Sequence, residues 1–316
     1  MRKIRFLILI SVFFFSCKEE KKAPEITEVV IDTLQGKSFF NQSLFSKQLR
    51  PKDSSRVKKF REAEAKYKAD NNSAENIIWL GRRTAYLGDY QKAITIFSEG
   101  IEKFPDDARF YRHRGHRYIS TRQLDKAIAD FEIAVDLIKG SQDKIEPDGI
   151  PNRLNQPVSS LHTNIYYHLG LAYYLKANWE KALANFQNCY DASTNDDMRV
   201  ASSHWLYMIL QRMENLEKAN AILKPITAEM DIIENDGYHQ LLLFYKGEVA
   251  EESLAGNGSA GASEAVRYGI AHWYQYNGDM EKAKSLYNAL LKEGSWSGFG
   301  YLAAEAEMAR SLREPQ

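Results

Sequence analysis

The chain has 316 residues, 44% hydrophobic and 12% aromatic, enough to bury a long core, while 8 prolines and 18 glycines are too few for a disordered chain. Formal charge is zero, from 42 basic and 42 acidic side chains, so bulk charge gives no reason to expect a nucleic-acid partner.

In chain order, the first element is a leader. Arg2, Lys3 and Arg5 precede a ten-residue run, Phe6 to Phe15, that is apolar except for Ser11 and too short to span a bilayer as a helix. Ser16 and Cys17 follow. This pattern resembles a bacterial lipoprotein signal, with phenylalanines at 14 and 15 where leucine and a smaller residue are usual. The resemblance implies that residues 1–16 are removed and that acylated Cys17 becomes the N-terminus, a membrane attachment by lipid anchor. Removal leaves 39 basic against 42 acidic side chains. Lys18, Glu19, Glu20, Lys21 and Lys22 then resemble the charged signal behind the cysteine of exported Bacteroidota lipoproteins. The expectation is an outer membrane lipoprotein on its periplasmic or cell-surface face, with residues 17–55 as lipidated cysteine and tether. With Cys17 acylated, Cys189 stands alone and no disulfide framework is expected.

Beyond residue 56 a motif recurs. Lys92-Ala93, Lys126-Ala127, Lys181-Ala182, Lys218-Ala219 and Lys282-Ala283 each follow a bulky residue two places earlier: Tyr90, Leu124, Trp179, Leu216 and Met280. From Ala93 to Ala127 is 34 residues, and the same offset carries Gly81 to Gly115, Phe97 to Phe131 and Gly100 to Ala134. Gly170, Ala182, Phe186 and Cys189 keep the internal spacing in a third copy. Tyr207 with Leu223, and Ala271 with Tyr287, stand at these places in two more degraded ones.

These residues resemble tetratricopeptide repeats (TPR), which implies an all-α solenoid of helix-turn-helix units forming a right-handed superhelix. The units fall near 74–107, 108–141, 163–196, 200–233 and 264–297 within a solenoid at 56–313. A half repeat at 56–69 precedes them and a capping helix near 298–313 closes them. An insertion loop spans 140–162 and irregular helices 234–263. The glycines let paired helices approach, the aromatics fill the space toward the next unit, and the bulky starters staple each second helix.

Residues 256–261 spell G-x-G-x-x-G, but helical flanks point to a loop rather than a dinucleotide site. His113 and His116 have metal-ligand spacing without a visible third ligand. Asp143, Glu146 and Asp148 read as a solvated loop, and Cys189 as a buried packing residue. No cofactor, metal or enzymatic activity is expected.

The resemblance also assigns a concave face to the first helix of each unit. It would carry Arg82 and Tyr86; Arg109, Arg112, His113 and His116; Tyr167 and His168; His204; and Tyr268 and His272, with Glu75 as its single carboxylate. Such a basic, aromatic groove suits an anionic or amphipathic partner. If the histidines meet ligand, affinity should change between about pH 5 and 7. The acids of the 140–162 insertion are candidates to lie across this face as a built-in ligand. The leading reading is a non-enzymatic, lipid-anchored adaptor for a protein or peptide of the cell envelope. The alternative is a cell-surface glycan- or nutrient-binding lipoprotein using Tyr167, Tyr268 or Tyr276 as platforms.

Overall fold

The computed structural model describes residues 33–46, 54–255, 263–293 and 295–312. The leader, Cys17 and the G-x-G-x-x-G string lie outside the described residues.

Five helical hairpins carry the fold, and their boundaries follow the repeat. They are α2 (Ala74–Tyr86) with α3 (Tyr90–Lys103), α4 (Ala108–Ser120) with α5 (Leu124–Ile138), α6 (Leu161–Leu175) with α7 (Trp179–Ala192), α8 (Asp196–Arg212) with α9 (Leu216–Leu223), and α11 (Glu264–Tyr276) with α12 (Met280–Glu293). Every second helix starts on its bulky residue. Capping side chains set many of these starts: Ser73, Asp89, Asp107, Ser160, Asn178, Asn195, Asn215 and Ser263 each accept a backbone N–H of the first turn. Each hairpin turns through one left-handed residue at the same place in its unit: Gly88, Arg122, Ala177, Glu214 and Gly278. The reversed hydrogen bonds behind it, such as Gln123 N–H to the Tyr118 carbonyl, end the first helix.

Close packing explains the repeated glycines. A Cβ on Gly115 would meet the Phe131 ring at 2.8 Å, and one on Gly170 would meet Phe186 at 2.9 Å. Each of these phenylalanines also reaches forward, so the glycine–aromatic pair joins one unit to the next. The result is an all-α TPR-type solenoid. Stapling holds for Leu124, which is buried, but Leu216 and Met280 are 56% and 42% exposed.

Three elements differ from the expected plan. First, part of the expected tether is folded: β1 (Leu34–Lys37) and β2 (Ser43–Phe45) form an antiparallel hairpin ahead of α1 (Ser54–Ala69). Gln35 is fully buried and accepts the Gln91 backbone N–H at 3.0 Å, and Trp296 Nε1–H donates to the Phe45 carbonyl at 2.9 Å. Second, a single helix, α10 (Asp236–Tyr245), replaces a full unit between α8 and α11. The stretch before it is organised by buried Asp197, whose carboxylate accepts the backbone N–H of Ile233, Glu234 and Asn235 at 2.8–2.9 Å. Third, α13 (Phe299–Ser311) is not a cap with a polar outer face. Gly300, Leu302, Ala303, Ala304, Glu305, Ala306, Glu307 and Ala309 are all buried. Its small side chains let it enter the space between the inner helices, where Phe299 meets α4 and α6 and Arg310 donates to the Leu175 carbonyl.

Candidate functional site

The inner face is built by α2, α4, α6, α8 and α11, as the repeat predicts, and most of it is occupied by the chain itself. Tyr167, His168, His204, Tyr268 and His272 are at most 7% exposed. Tyr167 Oη accepts the Trp205 indole N–H at 2.7 Å and pairs with Tyr238 of α10. Tyr268 donates to Glu307 of α13, which also receives Arg212 and Arg310. His168 Nδ1–H donates to the Asn164 carbonyl at 2.6 Å. His272 finds no partner for either ring nitrogen among the described residues. These five positions are packing surface rather than open groove.

A stacking rule accounts for two of the histidines. His113, His168 and Trp205 occupy the same place in successive units, and each stacks on the phenylalanine of the unit before. Centroid distances are 5.4 Å for Phe97–His113, 5.8 Å for Phe131–His168 and 5.5 Å for Phe186–Trp205, with planes within 18°. His116 is wedged between His168 and Phe299. Burial, reinforced by neighbouring arginines, pushes His113, His116 and His272 well below the usual imidazole value, and brings His168 to about 3. Burial alone takes His204 to about 3. His168 and His204 stay neutral from pH 5 to 7 and the other three are shifted the same way, so the expected titration of a ligand-facing histidine set does not apply.

The insertion, observed between Ile138 and Leu161, runs as a strap over the inner face. At its base Asp143 accepts Ser160 Oγ–H and the His162 backbone N–H. Glu146 then reaches inward, 3.1 Å from an Arg112 amine, and accepts Asn164 Nδ2–H at 2.5 Å. Arg82 and Arg83 donate to the carbonyls of Pro147 and Gly149 at 2.8 and 2.7 Å, and Gly149 sits against the Tyr86 hydroxyl with no room for a Cβ. At the far end Asn152 reaches Glu234, and Asn195 Nδ2–H donates to the Val158 carbonyl. An acid of the insertion does lie on the basic face, as expected. It is Glu146, while Asp143 serves the loop's own base.

Beside the strap a cleft of about 820 Å³ remains open. Its apolar lining includes Ile78, Phe104, Pro105, Leu137, Ile145 and Leu161. Its charges are mixed: Arg82, Lys103, Arg109 and Lys144 against Glu75, Asp106, Asp107 and Glu146. Arg109 is 37% exposed by side chain and paired with Asp107 and Glu75 at 2.6 and 3.0 Å. The single-carboxylate groove read from the inner helices is therefore incomplete, because turns, strap and α13 supply further acids.

Sequence reasoning missed Arg117 and Arg122. Arg122, 3% exposed by side chain, pairs with fully buried Glu305 and donates to the Trp296 carbonyl. Glu305 also accepts the Phe39 backbone N–H at 2.8 Å, so the N-terminal hairpin, the α4–α5 turn and α13 meet at one ion pair. The available signal was an arginine at the left-handed turn position, where two other units carry glycine. Burial pushes the Cys189 thiol up to about 12, consistent with packing. Among the described residues no group of three or more His, Cys, Asp or Glu is placed to hold a metal.

No protein-family model matches the sequence, and no curated relative is found. Solved structures do resemble the fold. One is YrrB, described as a TPR protein with an unusual peptide-binding site: 15% identity, 78% of this chain and 97% of that one, TM-score 0.41. PilW, a type IV pilus biogenesis factor, aligns at 13% identity over 77% of this chain and 89% of its own, TM-score 0.44. MamA aligns at 15% identity over 64% of this chain and all of its own, TM-score 0.43. At these identities the likeness concerns the fold alone.

Proposed function

We propose that this chain is a non-enzymatic adaptor, held at a bacterial outer membrane by a lipid on Cys17, that takes a protein or peptide of the cell envelope. The observation carrying this reading is the open cleft at the first two hairpins, lined by apolar side chains and by charges of both signs. That lining suits an amphipathic segment, with apolar side chains on Ile145 and Leu161 and acids toward Arg82 and Lys144. The rest of the inner face is filled by α10, α13 and the strap. Of the platforms a glycan would need, Tyr167 and Tyr268 are 7% and 1% exposed, and half-buried Tyr276 donates its hydroxyl to Tyr207, so the glycan alternative is the weaker reading.

The test is a pull-down from detergent-solubilised envelopes with the tagged full chain and an Ile145→Asp, Lys144→Glu variant. Ile145 is 52% exposed and Lys144 is exposed as well, so both changes leave the core intact. A protein recovered by the native chain and lost by the variant is the expected outcome; equal recovery, or none, contradicts the reading. Palmitate labelling of the native chain and not of Cys17→Ser checks the anchor separately.

A further inference from the structure

Four guanidinium groups gather beneath the strap with too few carboxylates to balance them. Arg82 and Arg83 come from α2, and Arg112 and Arg117 from α4. Among the described residues, only Arg112 has a carboxylate in contact, Glu146 at 3.1 Å. Arg82 and Arg83 donate to main-chain oxygens of the strap, and Arg117 lies 5.2 Å from the centre of the Tyr90 ring. Asp148 is near but touches none of them: its Oδ2 is buried with no partner, and burial raises its pKa. His113 and His116 are neutral. Arg109 is not counted, since Asp107 and Glu75 neutralise it. Arg83 also feels Glu62 of α1, so Arg82, Arg112 and Arg117 against Glu146 and Asp148 leave an excess of about one positive charge, and Arg112 and Arg117 are enclosed.

A second observation points to what belongs there. The Nε–H groups of both Arg82 and Arg112 are buried and find no acceptor among the described residues. Buried donors on charged groups are rarely left unmet, and an ion or water normally completes them. Glu146 already shows that an oxyanion fits on Arg112. The guanidinium fork matches tetrahedral or planar oxyanions through paired hydrogen bonds. Two unmet Nε–H groups on different residues suit an anion with several acceptor oxygens, as the phosphate class offers, better than a single carboxylate.

We propose that Arg82, Arg112 and Arg117 form a binding site for a dianionic oxyanion of the phosphate class, roofed by strap residues 146–149 and reached through the cleft that Arg82 lines. The ligand is a small group inside the fold, so the proposal does not depend on the peptide reading. Burial and the mutual repulsion of Arg82, Arg112 and Arg117 already loosen the protons of Arg112 and Arg117, a penalty that a bound dianion removes.

The test uses calorimetry and thermal melting of the full chain, purified without phosphate, at constant ionic strength. Probes are inorganic phosphate, glycerol 3-phosphate and chloride. Phosphate at tenfold its dissociation constant should raise the melting midpoint by about 2–4 °C, saturably, whereas chloride should not. Arg112→Gln and Arg117→Gln should each weaken phosphate binding at least tenfold, and the exposed control Arg199→Gln should not. Without phosphate, Arg117→Gln should melt no lower than the native chain, because it relieves repulsion. Response to the ester as well assigns the site to a phosphoryl group on a larger molecule; response to phosphate alone assigns it to the free ion. No saturable response to either, or an equal response in Arg117→Gln, overturns the proposal.

Discussion

At the scale of single residues, the most consequential side chain is Arg122. It adopts a left-handed backbone, φ 61°, at a position where Gly88 and Gly278 serve other units, a conformation disfavoured by about 1 kcal/mol for a residue with a Cβ. What holds it there is the buried pair with Glu305. Removing one partner of such a pair strands the other, so Arg122→Met should destabilise the protein by about 3–5 kcal/mol in urea unfolding, while Arg122→Met with Glu305→Leu should recover most of that loss. Equal losses in the single and double variants would contradict the pairing. Gly115 makes a second case: Gly115→Ala drives a methyl into Phe131 and should lose about 1–3 kcal/mol. The Gly115–Phe131 pair was legible because glycine and phenylalanine recur at fixed spacing. The Arg122–Glu305 pair was not, because its partners are 183 residues apart and no repeat links them.

At the scale of elements, local chemistry set the hairpins and long-range packing set everything else. Caps and bulky starters placed the second helices at Tyr90, Leu124, Trp179, Leu216 and Met280 as read from sequence. Tyr167, His168 and Tyr268 lie on the inner side of α6 and α11, against Trp205, Phe299 and Glu307. Their exposure was misread, because α13 and α10 return to cover them and no local signal announces that return. The connection before α10 offers a direct check. Asp197→Ala removes the acceptor of three backbone N–H groups, so the amides of Ile233, Glu234 and Asn235 should lose most of their protection in hydrogen exchange, while helix α8 keeps its own. Unchanged protection at those amides would refute the role assigned to Asp197.

At the scale of the whole molecule, the solenoid is stabilised around its own inner face. Five imidazoles there have pKa values below that of the unfolded chain, two of them at about 3. As pH falls below about 6.5 the unfolded chain takes up protons that the folded chain refuses, so stability is complete above that pH and declines toward about 3. His168 and His204 alone contribute a loss of roughly 3 kcal/mol per pH unit in that window. Urea midpoints measured at pH 7.5 and 5.5 at fixed salt should therefore differ clearly; equal midpoints would mean the imidazoles are not enclosed. The most direct measurement of the central claim, that the chain fills its own concave face, is acylation of native histidines by diethyl pyrocarbonate, read by mass spectrometry at pH 7. The account predicts rapid modification of half-exposed His162, with His113, His168, His204, His239 and His272 protected until the protein unfolds and His116 slowed behind Phe299. Rapid modification of His168, His204 and His272 in the folded protein would show an open groove and contradict it.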